Sequence, residues 1–561
     1  GPILAALGPE ERDSQANAIA LRLGGVALIV LLIACANVAN LLIVRGVARG
    51  REFAIRAALG IDRRGIARLL LLESVLLAMI AGVAAVALGM WSGAALQELL
   101  FWNVNWAPER FDWRVAAFTL ATALCTGLAA GLAPVIQARR ADVSQMLKTG
   151  SHAGGRPRRR LRTALVIAQS TLSVVLLVGA ALFVRSLHAV RSIDLGFDVQ
   201  RLVFVSPEVD NPDPIISPDR AKHDPNEEGA RIAAGLPLLA SRLATIPGVE
   251  KVALTSITPM YALSITSVFY ADGDSLPRGA DGLPTVMGVS PEYFATTGLQ
   301  LRQGRLLERG DVSASARVAL VNETMAHSSW PHENAIGQCL RLGQATAPCI
   351  TIVGIVEDAK RIQLLESPAR ILYIPAPQRG DYAATTIVVR VPPSRAPAVD
   401  ALVRREMPAV IPGMKANVIR MAEVLAPQYR PWQLGALLFS IFGLLALLIA
   451  AVGIFSAVSH DVGQRRRELG VRVALGASVG DVVRLVLGGG LRVVALGVVA
   501  GVLVAVATSK LIASVLYGVA PRDPIVLGGV AVVLLAVAAL ASALPAWRAS
   551  RADPMEALRV D

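Results

Sequence analysis

Two short stretches carry the most regular charge pattern in the chain. Residues 49–62 read "RGREFAIRAALGID" and residues 465–478 read "RRRELGVRVALGAS". An offset of 416 lays Arg51, Glu52, Arg56, Ala58, Leu59 and Gly60 over Arg467, Glu468, Arg472, Ala474, Leu475 and Gly476. In each copy Glu and Arg stand four residues apart, as neighbours on one helical face, where an ion pair adds roughly 0.2–0.5 kcal/mol. The closing glycine suits the left-handed end of a helix. Phe53, Ala57 and Leu59, answered by Leu469, Val473 and Leu475, give an apolar ridge beside the charges. The chemistry on offer is recognition rather than bond making. Such a helix either meets lipid phosphates or docks a cytoplasmic partner, and its duplication favours a partner with two-fold symmetry.

Bond-making constellations are not what the chain advertises. The six histidines show no metal spacing, and neither H-E-x-x-H nor the phosphate-cradling G-x-x-x-x-G-K-[ST] occurs. "HDPNEE" (223–228) has cation-binding residue types but reads first as a solvated loop. Cys35 and Cys125 lie in apolar runs, whereas Cys339 and Cys349 lie ten apart in a polar region. A loop-closing disulfide there and a pair of free thiols are both open.

The elements that position the two stretches are apolar. Of the 561 residues 54% are hydrophobic and 17% charged, and seven runs stand out near 24–44, 67–90, 115–137, 163–184, 434–457, 483–508 and 525–546. Each has about the 20 residues that cross ~30 Å of hydrocarbon. The net charge of +13 sits mostly beside these runs, which speaks for membrane topology rather than nucleic acid. Segments 45–66 and 138–162 carry six and seven arginines, whereas 91–114 and 509–524 carry two basic residues each. Strict alternation puts every basic segment on one side, the cytoplasmic one, with the C-terminus inside and residues 185–433 outside. That outer stretch alternates like strands at "RLVFVSPEV", "ARVALVNE", "ITIVGIVED" and "ATTIVVRV", with helical patterns at 229–246 and 395–407. An α+β domain of two lobes is expected.

The duplication extends further. "APVIQARRADVSQMLK" (133–148) answers "LPAWRASRADPMEALR" (544–559), and "APERFD" (107–112) more loosely answers "APRDP" (520–524). Spans one to three and five to seven are therefore two copies of one module, an arrangement that builds a two-fold pseudo-symmetric machine. Inside the spans, Glu73 and Arg492 either snorkel or pair across the halves. Asn37 and Asn40 are expected to hydrogen-bond between helices.

The "RxREI-x-x-R-x-ALGA" pattern after a span resembles the hallmark of the FtsX/MacB superfamily of ABC-transporter permeases. "VSPEYFATTGLQLRQGRLLERGD" (289–311), "VALVNETMA" (318–326), "WPHENAIGQCLRL" (330–342) and "IVGIVEDAK" (352–360) resemble its MacB-like periplasmic core domain, and span four resembles the helix that precedes that domain. The resemblance covers nearly the whole chain, in the order of the fused, duplicated orphan permeases of the acidobacterial kind. It implies a polytopic α-helical membrane protein with an α+β periplasmic domain. Its parts would be 1–20, the tail of a further periplasmic domain; 21–150, a first three-helix module; 163–187, a helix; 188–430, the core domain; and 431–561, a second module. A complete fused permease would begin with another helix and outer domain, so the chain is expected to be N-terminally incomplete.

By the same resemblance Glu52, Arg56, Gly60, Glu468, Arg472 and Gly476 contact a cytoplasmic ATPase dimer. ATP and Mg would be used by that partner on a separate polypeptide, with no cofactor bound here and no catalytic or metal residues assigned. The expected role is the permease subunit of an ATP-driven transporter in a bacterial inner membrane, with a periplasmic adaptor or outer-membrane protein as a further candidate partner and no nucleic acid. A signalling scaffold that regulates a periplasmic envelope enzyme is the alternative. An ion-coupled carrier is disfavoured because the spans lack strings of buried charge.

Overall fold

A computed structural model describes residues 9–48, 52, 56, 63–100, 112–140, 156–208, 225–261, 267–270, 274–276, 283–378, 385–475, 477–513 and 515–550. The chain divides into two compact units, Gly1–Leu187 with Trp432–Asp561, and His188–Pro431.

The first unit is helical, which satisfies each backbone group within its own segment in hydrocarbon. Its elements are α1 (Pro9–Ala48), α2 (Arg63–Leu100), α3 (Trp113–Arg140) and α4 (Arg156–Arg191). The second unit follows in the chain with β1 (Leu202–Glu208), α5 (Pro225–Ala244), β2 (Lys251–Thr255), β3 (Val268–Tyr270), β4 (Thr285–Val289), α6 (Tyr293–Thr297), β5 (Leu301–Gly304) and β6 (Val318–Asn322). Next come α7 (Glu323–Ser329), β7 (Cys339–Leu342), β8 (Ile350–Val356), β9 (Ile371–Pro375), β10 (Thr386–Arg390), α8 (Ala396–Val410) and β11 (Lys415–Arg420). The chain then forms α9 (Met421–Gln464), α10 (Arg466–Ala474), α11 (Val479–Ala513) and α12 (Pro524–Ser550). Among the described residues seven helices are long and apolar enough to cross a membrane.

Small residues let these helices approach closely. A Cβ on Gly131 of α3 would lie 2.6 Å from Ser74 Oγ of α2, and one on Gly82 of α2 would meet Leu120 and Ala123 of α3. In the second module Gly490 of α11 faces Ser542 of α12. Asp112 Oδ1 accepts from Arg114 N at 2.9 Å and Asp523 Oδ1 from Ile525 N at 2.9 Å. The same residue type thus caps the last helix of each module, and Asp112 and Asp523 of the loosely matched stretches are structurally equivalent.

Helix α4 packs antiparallel to α9. Phe183 stacks on Phe439 with ring centroids 4.9 Å apart, Gly443 receives Leu177, and Gly453 receives Gln169. Glycines 497 and 501 of α11 admit Ser170 and Val174, and Thr171 Oγ1 donates to the Gly497 carbonyl at 3.1 Å. Ion pairs clamp α4 near both ends, Arg162 with Asp461 at 3.7 Å and Arg185 with Asp523, while Tyr517 N donates to Ser186 Oγ at 2.8 Å.

The modules meet where α1 lies parallel to α9. A Cβ on Gly453 would be 2.9 Å from Asn37 Oδ1, and 453 − 37 is again 416. Val26, Val30 and Ile33 share a buried cluster with Phe442, Ala446 and Ile449, their partners at the same offset. Equivalent positions therefore stand level, as expected for copies related by an axis along the helices. One expectation fails here. Asn37 Oδ1 and both amide atoms of Asn40 have no hydrogen-bond partner; Asn37 Oδ1 lies over Gly453 beside the Gln169 amide, whose Nε2 is likewise unbonded.

In the second unit the strands form one continuous eleven-stranded sheet in the order β11-β1-β10-β2-β4-β9-β6-β8-β7-β3, with β5 pairing β8. The two expected lobes are two cores on this single sheet. One packs α5 and α8 through Leu236, Leu239, Val399 and Val403 against β1 and β10. The other gathers Val286, Val321, Met325, Ile352 and Leu372. Asn322, fully buried at the end of β6, caps α7 by accepting from Met325 N and donates to Asp358 Oδ1 at 2.6 Å. Cys339 and Cys349 form a disulfide across the β7–β8 turn.

Candidate functional site

The second charged stretch is built as its spacing dictates. Helix α9 ends at Gln464 and α10 starts two residues later. The stretch is anchored by Leu469, 3% exposed, against Val462 of α9 and Val482 of α11. Leu469 therefore belongs to the buried underside and not to the exposed ridge: its face is chosen by the ends of two membrane helices. Leu475 is 82% exposed and Val471 is exposed too, so an apolar surface remains beside the charges.

Glu468 lies between two guanidinium groups. Arg465 Nε and Nη2 donate to its two oxygens, each at 2.9 Å, and Arg472 Nη2 approaches at 2.9 Å. The Arg465 hydrogen bonds hold the carboxyl below the usual glutamate range, and Glu468 in turn raises Arg465. The helix closes with Ala477 N donating to the Arg472 carbonyl at 3.0 Å. The next one opens on a reciprocal cap: Asp481 N donates to Ser478 Oγ at 3.2 Å while Ser478 N and Oγ donate to Asp481 Oδ2. Residues 476–480 spell G-x-S-x-G, the pattern of a hydrolase nucleophile. A nucleophile of that kind sits on a strand-to-helix turn; Ser478 stands between two helices with its hydroxyl committed to capping.

In the first stretch Glu52 and Arg56 are both helical and form their i,i+4 pair at 2.6 Å. Gly60 and Gly476 lie outside the described residues. The structure thus joins Glu52 to Arg56 and Glu468 to Arg472, and adds Arg465, which the 416 offset matches to Arg49 and whose pairing with Glu468 is a signal the repeat already carried. Among the described residues no group of His, Cys, Asp or Glu could hold a metal. Arg492 lies exposed on α11.

Comparison with known proteins follows these boundaries. The FtsX-like permease C-terminal family matches residues 24–143 and again 440–554, and the MacB-like periplasmic core domain matches 163–406. Two copies of a permease module around a core domain define the class as a multi-pass membrane permease with a periplasmic domain. The chain belongs to the MacB/FtsX-type family of ABC permeases. It is 26% identical over 426 residues to the macrolide export ATP-binding/permease protein MacB of Agrobacterium fabrum, covering 72% of this chain and 60% of that one. It is 25% identical over 289 residues to MacB 1 of Yersinia pestis bv. Antiqua, covering 50% of this chain and 44% of that one. The chain spans less than two thirds of either relative. The periplasmic region of MacB from Actinobacillus actinomycetemcomitans aligns at 15% identity and TM-score 0.29, covering 42% of this chain and 95% of that one.

Proposed function

We propose that this chain is the permease subunit of an ATP-driven ABC machine in a bacterial inner membrane, coupling a separate cytoplasmic ATPase dimer to its periplasmic domain. One observation carries the reading. Two Glu–Arg ion-paired helical stretches follow membrane helices that stand side by side in equal register, so the chain offers two equivalent docking helices to a two-fold partner. ATP and Mg are used by the partner; its closure draws the two stretches together, the helices of each module move with them, and the domain at 185–433 rearranges around its cargo. The basic segments lie on the cytoplasmic side with the C-terminus. Export is the direction supported by relatives named for macrolide export.

The test is co-reconstitution with a cognate ATPase. Glu52→Lys with Glu468→Lys is expected to abolish complex formation and stimulation of ATP hydrolysis. Unchanged binding and stimulation would sink the docking assignment.

A further inference from the structure

The contact between the two modules carries a row of buried polar groups that make no hydrogen bond in this register. Besides Asn37 Oδ1 and both amide atoms of Asn40, Gln169 Nε2 and Ser173 Oγ of α4 have no partner. Asn40, Gln169 and Ser173 are each less than 5% exposed, and Asn37 is 9% exposed. In a bilayer such groups are costly to leave unmade, and no water is at hand to relieve them. The aliphatic residues around them could have filled the same space without that cost.

Their spacing suggests what they are for. Gln169 Oε1 and Asn37 Oδ1 both approach Gly453, at 2.8 and 2.9 Å from where its Cβ would be, so Asn37 stands level with Gln169. Helix α1 is parallel to α9 and α4 is antiparallel to it, hence α1 and α4 run in opposite directions. One turn further along α4, Ser173 is then level with Ile33, which shares a cluster with Leu172 and Leu176. Asn40 is one turn beyond Asn37 on the same face. If α1 moves one turn toward its own N-terminal end, roughly 4.5–6 Å for three to four residues, Asn37 comes level with Ser173. The same movement brings Asn40 to Gln169, into the place over Gly453 that Asn37 leaves. One translation gives all four side chains a partner.

We propose that α1 slides one turn along the α4–α9 groove, and that the Asn37–Asn40 and Gln169–Ser173 pairs are the teeth that define its second register. Discrete one-turn ratchets of this kind are a known way for packed helices to switch. Helix α4 is the fixed rail, held to the second module by Arg162–Asp461 and Arg185–Asp523. Helix α1 is the slider, and Glu52 and Arg56 lie just past its C-terminal end. The two registers exist whatever drives the exchange, so the inference does not depend on ATPase docking.

Disulfide trapping in membranes tests it on the full chain with Cys35→Ser and Cys125→Ser. Val30→Cys with Ala446→Cys reports the register seen, and Val30→Cys with Phe442→Cys reports the shifted one. Both pairs are expected to cross-link without any ATPase. Adding Asn37→Leu and Asn40→Leu should lower the shifted cross-link at least about tenfold and leave the other intact, because bonds made in one state alone set its population. Should the leucine chain lose the Ala446 cross-link through misassembly, Asn37→Ser with Asn40→Ser takes its place, with partial loss of the shifted product expected. A shifted pair at background in the parent, or one indifferent to these substitutions, overturns the proposal.

Discussion

Ser542 of α12 faces Gly490 of α11, its Oγ 3.2 Å from where a Cβ on that glycine would lie. The first module makes the same contact with the residue types exchanged, Gly131 of α3 against Ser74 of α2. The offsets of 416 and 411 that align the motifs also align these pairs. What the module requires is one serine and one glycine at the crossing, on either helix.

That requirement predicts a rescue. Gly131→Ser alone places a Cβ 2.9 Å from Ser74 Cβ and should cost about 1–3 kcal/mol by overpacking. Adding Ser74→Gly should restore most of it, giving a clear coupling term in a double-mutant cycle. Gly89→Ser, with no atom within 4 Å, should change stability by less than about 0.5 kcal/mol. Unfolding midpoints in detergent read all four variants.

The pairing around Glu468 has a definite sign with pH. Its carboxyl is lowered chiefly by the Arg465 hydrogen bonds, so the pair supports α10 fully above the ~4.3 of an ordinary glutamate. That support is lost as pH falls through the lower folded value. An NMR titration of the Glu468 carboxyl carbon should show a midpoint below ~4.3, returning toward it in Arg465→Gln. The side chain is well exposed, so salt should weaken the effect.

Asn322 should be among the least replaceable residues of the second unit. It bonds Asp358 Oδ1, the Ala369 carbonyl, Met325 N and Ile371 N, and is fully buried. Asn322→Ala removes a helix cap and orphans several groups, for an expected loss of roughly 2–4 kcal/mol. Urea denaturation followed by tryptophan fluorescence would measure it.

The Cys339–Cys349 bridge predicts a thiol count. Of the four cysteines, two, Cys35 and Cys125, should react with a maleimide after denaturation without reductant, and all four after reduction. Closing this short loop should contribute about 2–3 kcal/mol, read as a lower unfolding midpoint in dithiothreitol.

Much of this architecture was legible. The seven apolar runs are long and lightly charged, and the Glu–Arg pairs need local helical spacing alone, so both could be read residue by residue. The strands "RLVFVSPEV" and "ATTIVVRV" were equally plain, but their union into one sheet was not: Leu202 pairs with Arg390, a partner no local pattern names. Leu469 was misassigned for a similar reason, since its burial depends on Val462 and Val482. Asn37 and Asn40 looked like interhelical glue, and whether they are satisfied depends on what α9 and α4 place opposite.

The meeting of Asn37 with Gly453 has a consequence for why both modules share one polypeptide. Two identical subunits related by a two-fold axis must place like against like, Asn on Asn or Gly on Gly. An unlike pair across the axis is open only to halves that diverge while remaining obliged to meet. Covalent fusion fixes the ratio of the halves and forbids self-pairing, which makes left and right distinguishable at the centre of the bundle. A symmetric partner closing beneath it would then produce an unequal stroke on the two sides.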